Sequence, residues 1–208
     1  LLGSHTITEL LKHGYDVTAV SLPGSDNGTL PAEVDAVWEN LCDLPDEQVL
    51  DLFRGRHAVF YAIGADERTV PAIPAAHFFY EANVVGTQRI ARLARQASVK
   101  RFVLYGSYTA EMGERWTDFA YGRNPYPRTR LAQEEIACLE GEGAMDVMTL
   151  RLPYIFGLVG GQRPLFDENG DPLLDEDGNP VYAGTEATAD DATAVGAGAV
   201  ASDSGATA

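Results

Sequence analysis

Tyr126 stands four residues before Arg130 in the stretch Asn124-Pro125-Tyr126-Pro127-Arg128-Thr129-Arg130-Leu131-Ala132-Gln133-Glu134. On a helix this spacing puts both side chains on one face. A free phenol has a pKa of about 10, so a neighbouring cation makes its anion accessible closer to neutral pH, where it can donate or take a proton. Arg130 would supply that charge, but a guanidinium does not give up a proton, so it could stabilise the phenolate without relaying. The same spacing also fits an ordinary surface face on which Arg130 pairs with Glu134. Pro127 is acceptable in a first helical turn and places Tyr126 at the helix entry. Two hydroxyls, Ser107 and Thr109, follow the apolar segment Arg101-Phe102-Val103-Leu104-Tyr105. They could orient a substrate oxygen, or satisfy backbone groups in a turn.

The elements that must position these groups follow from hydrophobic period and turn residues. Ile7, Leu10 and Leu11, with Gly14 as a stop, predict a first helix. Asp16 to Ser21 predicts a strand, ended by Pro23-Gly24-Ser25-Asp26-Asn27-Gly28, and Val34 to Trp38 a second. Pro45 to Phe53 reads as a helix. Ala58-Val59-Phe60-Tyr61-Ala62-Ile63 is a continuous apolar run, expected to be a strand buried on both faces. A long helical pattern spans about Ala76 to Ala97, then the strand at Arg101, a loop, the helix carrying Arg130, and the strand Val147 to Leu152. Strands alternating with helices point to a parallel sheet covered on two sides, the doubly wound α/β class. Ligands of such sheets sit beyond the carboxyl ends of the strands, so the loops after Ser21, Ile63 and Tyr105 are where function is expected.

The chain has 208 residues, enough for one domain with a real core, and a net charge of −16. That charge excludes the basic face nucleic acids require. Ten of the acids follow Arg163 and no Lys or Arg accompanies them, so the preceding part carries only about −6. No apolar run is long enough to span a bilayer, and the composition suits the cytoplasm. Cys42 and Cys138 form no disulfide framework, and the four histidines show no ligand spacing, so no metal is expected. Asp167-Glu168-Asn169-Gly170-Asp171-Pro172 is echoed by Asp175-Glu176-Asp177-Gly178-Asn179-Pro180, which suits hairpin turns; Leu165 and Leu173 fall where a calcium loop needs its first carboxylate. We therefore expect a turn-rich acidic segment over 159–182 and a disordered low-complexity tail over 183–208.

Several segments carry a family likeness. Leu1-Leu2-Gly3-Ser4-His5 looks like the end of a glycine-rich phosphate loop. Asn83-Val84-Val85-Gly86-Thr87 matches Asn-Val-x-Gly-Thr on a long central helix. Val99 to Ser107 looks like the strand leading to a catalytic hydroxyl, and Leu150-Arg151-Leu152-Pro153-Tyr154-Ile155-Phe156-Gly157 like Leu-Arg-x-x-x-x-x-Gly. In this order they resemble the NAD-dependent epimerase/dehydratase family, the extended and atypical short-chain dehydrogenase/reductases. The resemblance implies a Rossmann-like NAD(P)-binding domain over 1–158 lacking its first strand, NAD or NADP as cofactor, and a small-molecule substrate such as a nucleotide sugar. It implies no nucleic-acid or membrane partner, and it allows a homodimer. It makes Tyr126 the acid/base, Arg130 its electrostatic partner in place of the usual lysine, and Ser107 or Thr109 the substrate-orienting hydroxyl.

For the cofactor, the resemblance implies Gly3 at the phosphate loop and Ser21 after the second strand. Asn40 and Leu41 fall in an Asp-Leu-x-Asp-like adenine segment, Ala62, Ile63 and Gly64 lie along the cofactor, and Asn83, Tyr126 and Arg130 complete the set. Ser21-Leu22-Pro23 offers neither the acid that holds an adenosine ribose nor a cation for a 2′-phosphate, so NAD and NADP stay level. With the phosphate loop and substrate domain incomplete, the chain as it stands is expected to have little or no activity. A non-catalytic dinucleotide-binding sensor or scaffold is the alternative.

Overall fold

A computed structural model describes residues 2–25, 30–65, 74–116, 123–153 and 155, together with 186–187 and 200–201. The described residues fall into two units, one holding those up to Glu39 together with 155, 186–187 and 200–201, the other covering Asn40–Pro153. The domain expected over 1–158 spans both.

In the first unit, helix α1 (Leu2–Lys12) precedes strand β1 (Thr18–Ser21), which pairs in parallel with β2 (Asp35–Trp38). Gly14 takes φ +77° just past the helix, the left-handed conformation a glycine stop requires.

The second unit opens with α2 (Asp46–Phe53), then β3 (Ala58–Tyr61). A long helical run follows in three parts: α3 (Ala75–Phe79), a π-helical segment (Tyr80–Val85) and α4 (Gly86–Gln96). Strand β4 (Arg101–Ser107) leads into α5 (Tyr108–Arg115), where the sequence suggested only a loop. Helix α6 (Pro125–Gly141) and strand β5 (Asp146–Leu152) complete the unit. The strands form a parallel sheet in the order β3-β4-β5. The architecture is α/β with parallel sheets and Rossmann-like.

Burial departs from expectation on one point. Tyr61, Phe102 and Leu104 are fully buried against the helices, but their neighbours Phe60, Met148 and Leu150 are 41%, 58% and 37% exposed. Strand β3 is therefore buried on one face, not two. Both connections in this sheet, β3 to β4 and β4 to β5, advance in the same direction, and crossovers of one hand place their helices on one face. The long run presents Phe79, Ile90, Leu93 and Ala94 to the core as its period predicts.

The hairpin turns expected over 159–182 lie outside the described residues. So does most of the tail over 183–208, where Glu186–Ala187 (β6) pairs in parallel with Val200–Ala201 (β7). Among the described residues, no helix is long and apolar enough to cross a membrane, and no cluster of three His, Cys, Asp or Glu could hold a metal.

Candidate active site

Strand β4 ends in Ser107, and its extended backbone makes it the N-cap of α5: its Oγ accepts from the Thr109 N–H at 3.3 Å. The Thr109 hydroxyl lies 2.8 Å from the Ser107 Oγ, and both side chains are buried. Helix α6 starts equally deliberately. Asn124 caps it, accepting from the Tyr126 N–H at 3.0 Å, with Pro125 in the first turn. Tyr126 is thereby set at the helix entry, buried, with its ring 5.6 Å from that of Phe79. Its hydroxyl donates to the Ser107 Oγ at 3.5 Å. The structure thus brings Tyr126, Ser107 and Thr109 into one chain of hydroxyls at the carboxyl end of β4. The turn-satisfying and substrate-orienting readings of Ser107 are compatible, since one oxygen meets both the cap N–H and the phenol.

Arg130, one turn after Tyr126, is 7% exposed. Its Nη1 donates to Gln133 Oε1 at 2.7 Å and its Nη2 to the Tyr105 carbonyl at 2.6 Å. The surface pairing with Glu134 does not form. Glu134 is itself buried and takes Arg151 instead, with Nε at 3.0 and 3.2 Å and Nη2 at 2.9 Å, while Arg151 Nη1 reaches Glu114 at 3.0 Å. Helix α6 lies against β4 and β5, and the Tyr105 carbonyl and Arg151 of those strands give the two buried charges the partners that burial demands.

Gly64, expected to admit a close cofactor, has a nearer neighbour. A Cβ there would stand 2.4 Å from Arg130 Nη1 and 3.1 Å from Asn83 Oδ1. Asn83, in the π-helical segment, accepts from the Ala65 N–H at 2.8 Å and donates to the Ala65 carbonyl and to Thr129 Oγ1, each at 3.2 Å. It ties the loop after β3 to α6. Ala62 is exposed, and the Ile63 carbonyl accepts from Gln133 Nε2 at 3.3 Å. Ala62 adds only a methyl group to the loop, and the missing side chain of Gly64 makes room for Arg130.

The remaining candidates stand apart from this cluster in their contacts. Asn40 donates to Asp43 at 2.7 Å and accepts from the Cys42 N–H at 3.2 Å. Leu41 is buried, and Arg89 clamps its carbonyl and that of Cys42 at 3.3 and 3.1 Å, together with the Leu44 carbonyl. The same guanidinium, 2.7 Å from Asp46, holds that carboxyl below the usual range. In the first unit, Gly3 sits in the first turn of α1 with open space around it, and the Ser21 hydroxyl lies 2.9 Å from that of Ser25.

Sequence reasoning passed over Gln133. It is fully buried, and its Nε2 also donates to Thr87 Oγ1 at 2.8 Å. Its position three residues after Arg130 was the available signal. Tyr61 was also passed over. Burial pushes its phenol pKa far above the ordinary value, beside Cys42 and Thr87, and its hydroxyl makes no hydrogen bond of normal geometry.

The model of a family described as the NAD dependent epimerase/dehydratase family matches residues 1–168. No curated protein sequence matches the chain. Among solved structures, MoeE5 in complex with UDP-glucuronic acid and NAD is 28% identical with a TM-score of 0.55, covering 77% of this chain and 53% of that one. A short-chain dehydrogenase/reductase superfamily protein from Agrobacterium tumefaciens with bound NAD is 25% identical with a TM-score of 0.56, covering 73% and 45%. WbmG from Bordetella bronchiseptica, in complex with NAD and UDP, shares the fold at 19% identity and a TM-score of 0.58, covering 76% and 51%. The chain spans about half the length of the solved structures it matches.

Proposed function

Because the chain belongs to the NAD dependent epimerase/dehydratase family, we propose that the protein it represents is an NAD-dependent oxidoreductase or epimerase acting on the hydroxyl or carbonyl of a nucleotide sugar. The observation that carries this reading is the hydroxyl chain Tyr126–Ser107–Thr109 at the end of β4, with the Arg130 cation anchored one helical turn from Tyr126. NAD, when bound, supplies the hydride acceptor. Tyr126 takes the proton from the substrate hydroxyl as the carbon beside it is oxidised, and returns it when the carbonyl is reduced. Ser107, already in reach of the phenol, orients the substrate oxygen, and Thr109 fixes the direction of the Ser107 hydroxyl. Arg130 stabilises the phenolate by its charge alone, so the proton leaves through the substrate side or solvent. Ala62, Ile63 and Gly64 would lie along the nucleotide, with Asn83 holding that loop in place. Gly3, Ser21, Asn40 and Leu41 are the proposed contacts to its remaining parts.

NAD is preferred to NADP here because Ser21-Leu22-Pro23 provides no cation for a 2′-phosphate and the similar structures hold NAD. The nucleotide-sugar class rests on MoeE5, which binds UDP-glucuronic acid. A second reading, a dinucleotide-binding module without chemistry, is favoured by the engagement of Arg130 with Gln133 and Tyr105. The test is Tyr126→Phe in the full-length protein, assayed for NAD-dependent turnover of UDP-glucuronic acid. The catalytic reading expects a loss of about a hundredfold or more with NADH still bound, and unchanged turnover would overturn it.

A further inference from the structure

We infer that Gln133 is a positioning residue for Arg130, and that the two act as one unit in which a neutral amide fixes the cation beside Tyr126 without cancelling its charge. This deepens the proposed function and rests on it. The Ile63 carbonyl can only accept, so the Gln133 nitrogen must face it and Thr87 Oγ1, at 3.3 and 2.8 Å. The amide oxygen is then obliged to face the other way, where Arg130 Nη1 meets it at 2.7 Å. On the far side Nη2 meets the Tyr105 carbonyl at 2.6 Å, and the missing side chain of Gly64 leaves room for Nη1. The guanidinium therefore sits in a slot built from the ends of β3 and β4 and from α6, with Gln133 pinned in turn by α4.

The two acceptors are met by two different nitrogens of one planar guanidinium. An arginine fork meets them, and a single lysine nitrogen cannot occupy both positions. Gln133 is fully buried, so its polarity is costly unless satisfied, and the slot satisfies it. The choice of amide over carboxylate matters electrostatically. A glutamate of the same shape would keep the hydrogen bond but neutralise the charge that Tyr126 is proposed to use. Among the described residues, the other ionisable groups packed near the slot are Tyr105, Tyr126 and Tyr61 with Cys42, and the cluster Glu134, Arg151 and Glu114, which is paired within itself.

The test uses the full-length protein and needs no sugar. A Tyr126 phenolate attracts the cationic ring of NAD+ more than the neutral ring of NADH, so the ratio of their affinities rises with pH as the phenol ionises. The ratio is measured by NADH fluorescence and NAD+ competition from about pH 6 to pH 10, with Tyr126→Phe as the control that flattens it. For Gln133→Glu, which keeps the acceptor for Arg130 but sets a carboxylate oxygen against the Ile63 carbonyl, we expect weaker NADH binding, with the midpoint of the rise moved upward by about one pH unit or more. Gln133→Met, which keeps the volume but removes the acceptor, should weaken both affinities by about tenfold. Thr87→Val, which leaves Gln133 and Arg130 in place but frees the amide, should weaken them in the same direction by about threefold, and stands in where a Gln133 variant does not fold. Folded Gln133 variants with the wild-type midpoint and affinities would show that Gln133 only fills the core and overturn the inference alone. Absence of NADH binding by the wild type would overturn the proposed function and this inference together.

Discussion

Gly64 lacks a side chain in the place where Arg130 lies. A Cβ would meet Nη1 at 2.4 Å, the end of a flexible side chain that is nevertheless held by two charge-assisted hydrogen bonds. Gly64→Ala is thus expected to eject the guanidinium and cost about 1–3 kcal/mol, read as a lower midpoint in urea unfolding. Arg130→Met alone should cost a similar amount, and adding Gly64→Ala to it should cost little more, since the clash is then gone. Tyr61 makes the opposite case. Its buried hydroxyl has no well-formed partner, so Tyr61→Phe should change stability at pH 7 by less than about 1 kcal/mol. Its folded pKa is raised by burial, so its contribution is complete below the ordinary phenol pKa and declines as pH climbs toward the folded value. Melting temperatures above about pH 10 should therefore fall less steeply in Tyr61→Phe than in the wild type. At this scale Tyr126 and Ser107 were legible because helix spacing and a strand-end hydroxyl are local signals. The Gln133 contact was not, because its partners Ile63 and Thr87 come from distant segments.

Helix α6 holds the site because it is fastened at both ends and along its length. Asn124 caps its start, Thr129 receives Asn83 from the π-helical segment, and Glu134 pairs with Arg151 on β5. The wider turn at Tyr80–Val85 falls on the Asn-Val-x-Gly-Thr stretch and turns Asn83 toward Ala65 and Thr129. Arg151→Met should strand the buried Glu134 carboxylate and cost about 1–3 kcal/mol after allowing for the partial exposure of Arg151. Arg151→Met with Glu134→Gln should cost less than Arg151→Met alone, a difference that thermal melting of the two variants measures. Most elements were legible within a residue or two, since apolar period and glycine or proline breaks are written locally. The π-helical segment was not, because its period differs from a regular helix over only six residues. Helix α5 was missed for another reason. It is eight residues long, and what starts it is the Ser107 cap at the end of β4, where the sequence shows only a strand-end hydroxyl.

At the scale of the molecule, Tyr126, Ser107, Thr109 and Arg130 all belong to the second unit, while Gly3 and Ser21 belong to the first. The parallel order β3-β4-β5 points to where a ligand should approach, at the carboxyl ends of the strands. Fold class was legible from alternation of strands and helices. The exposed face carrying Phe60, Met148 and Leu150 was not, because an apolar strand does not itself say which face finds a helix. The most direct test of the central claim is a fluorescence titration of NADH, with NADPH beside it, into the full-length protein. The account predicts NADH binding at micromolar concentration or better, with NADPH weaker by about tenfold for want of a cation near Ser21. Failure of both nucleotides to bind would contradict it, and would return Tyr126 and Arg130 to the role of two buried residues on one face of a helix.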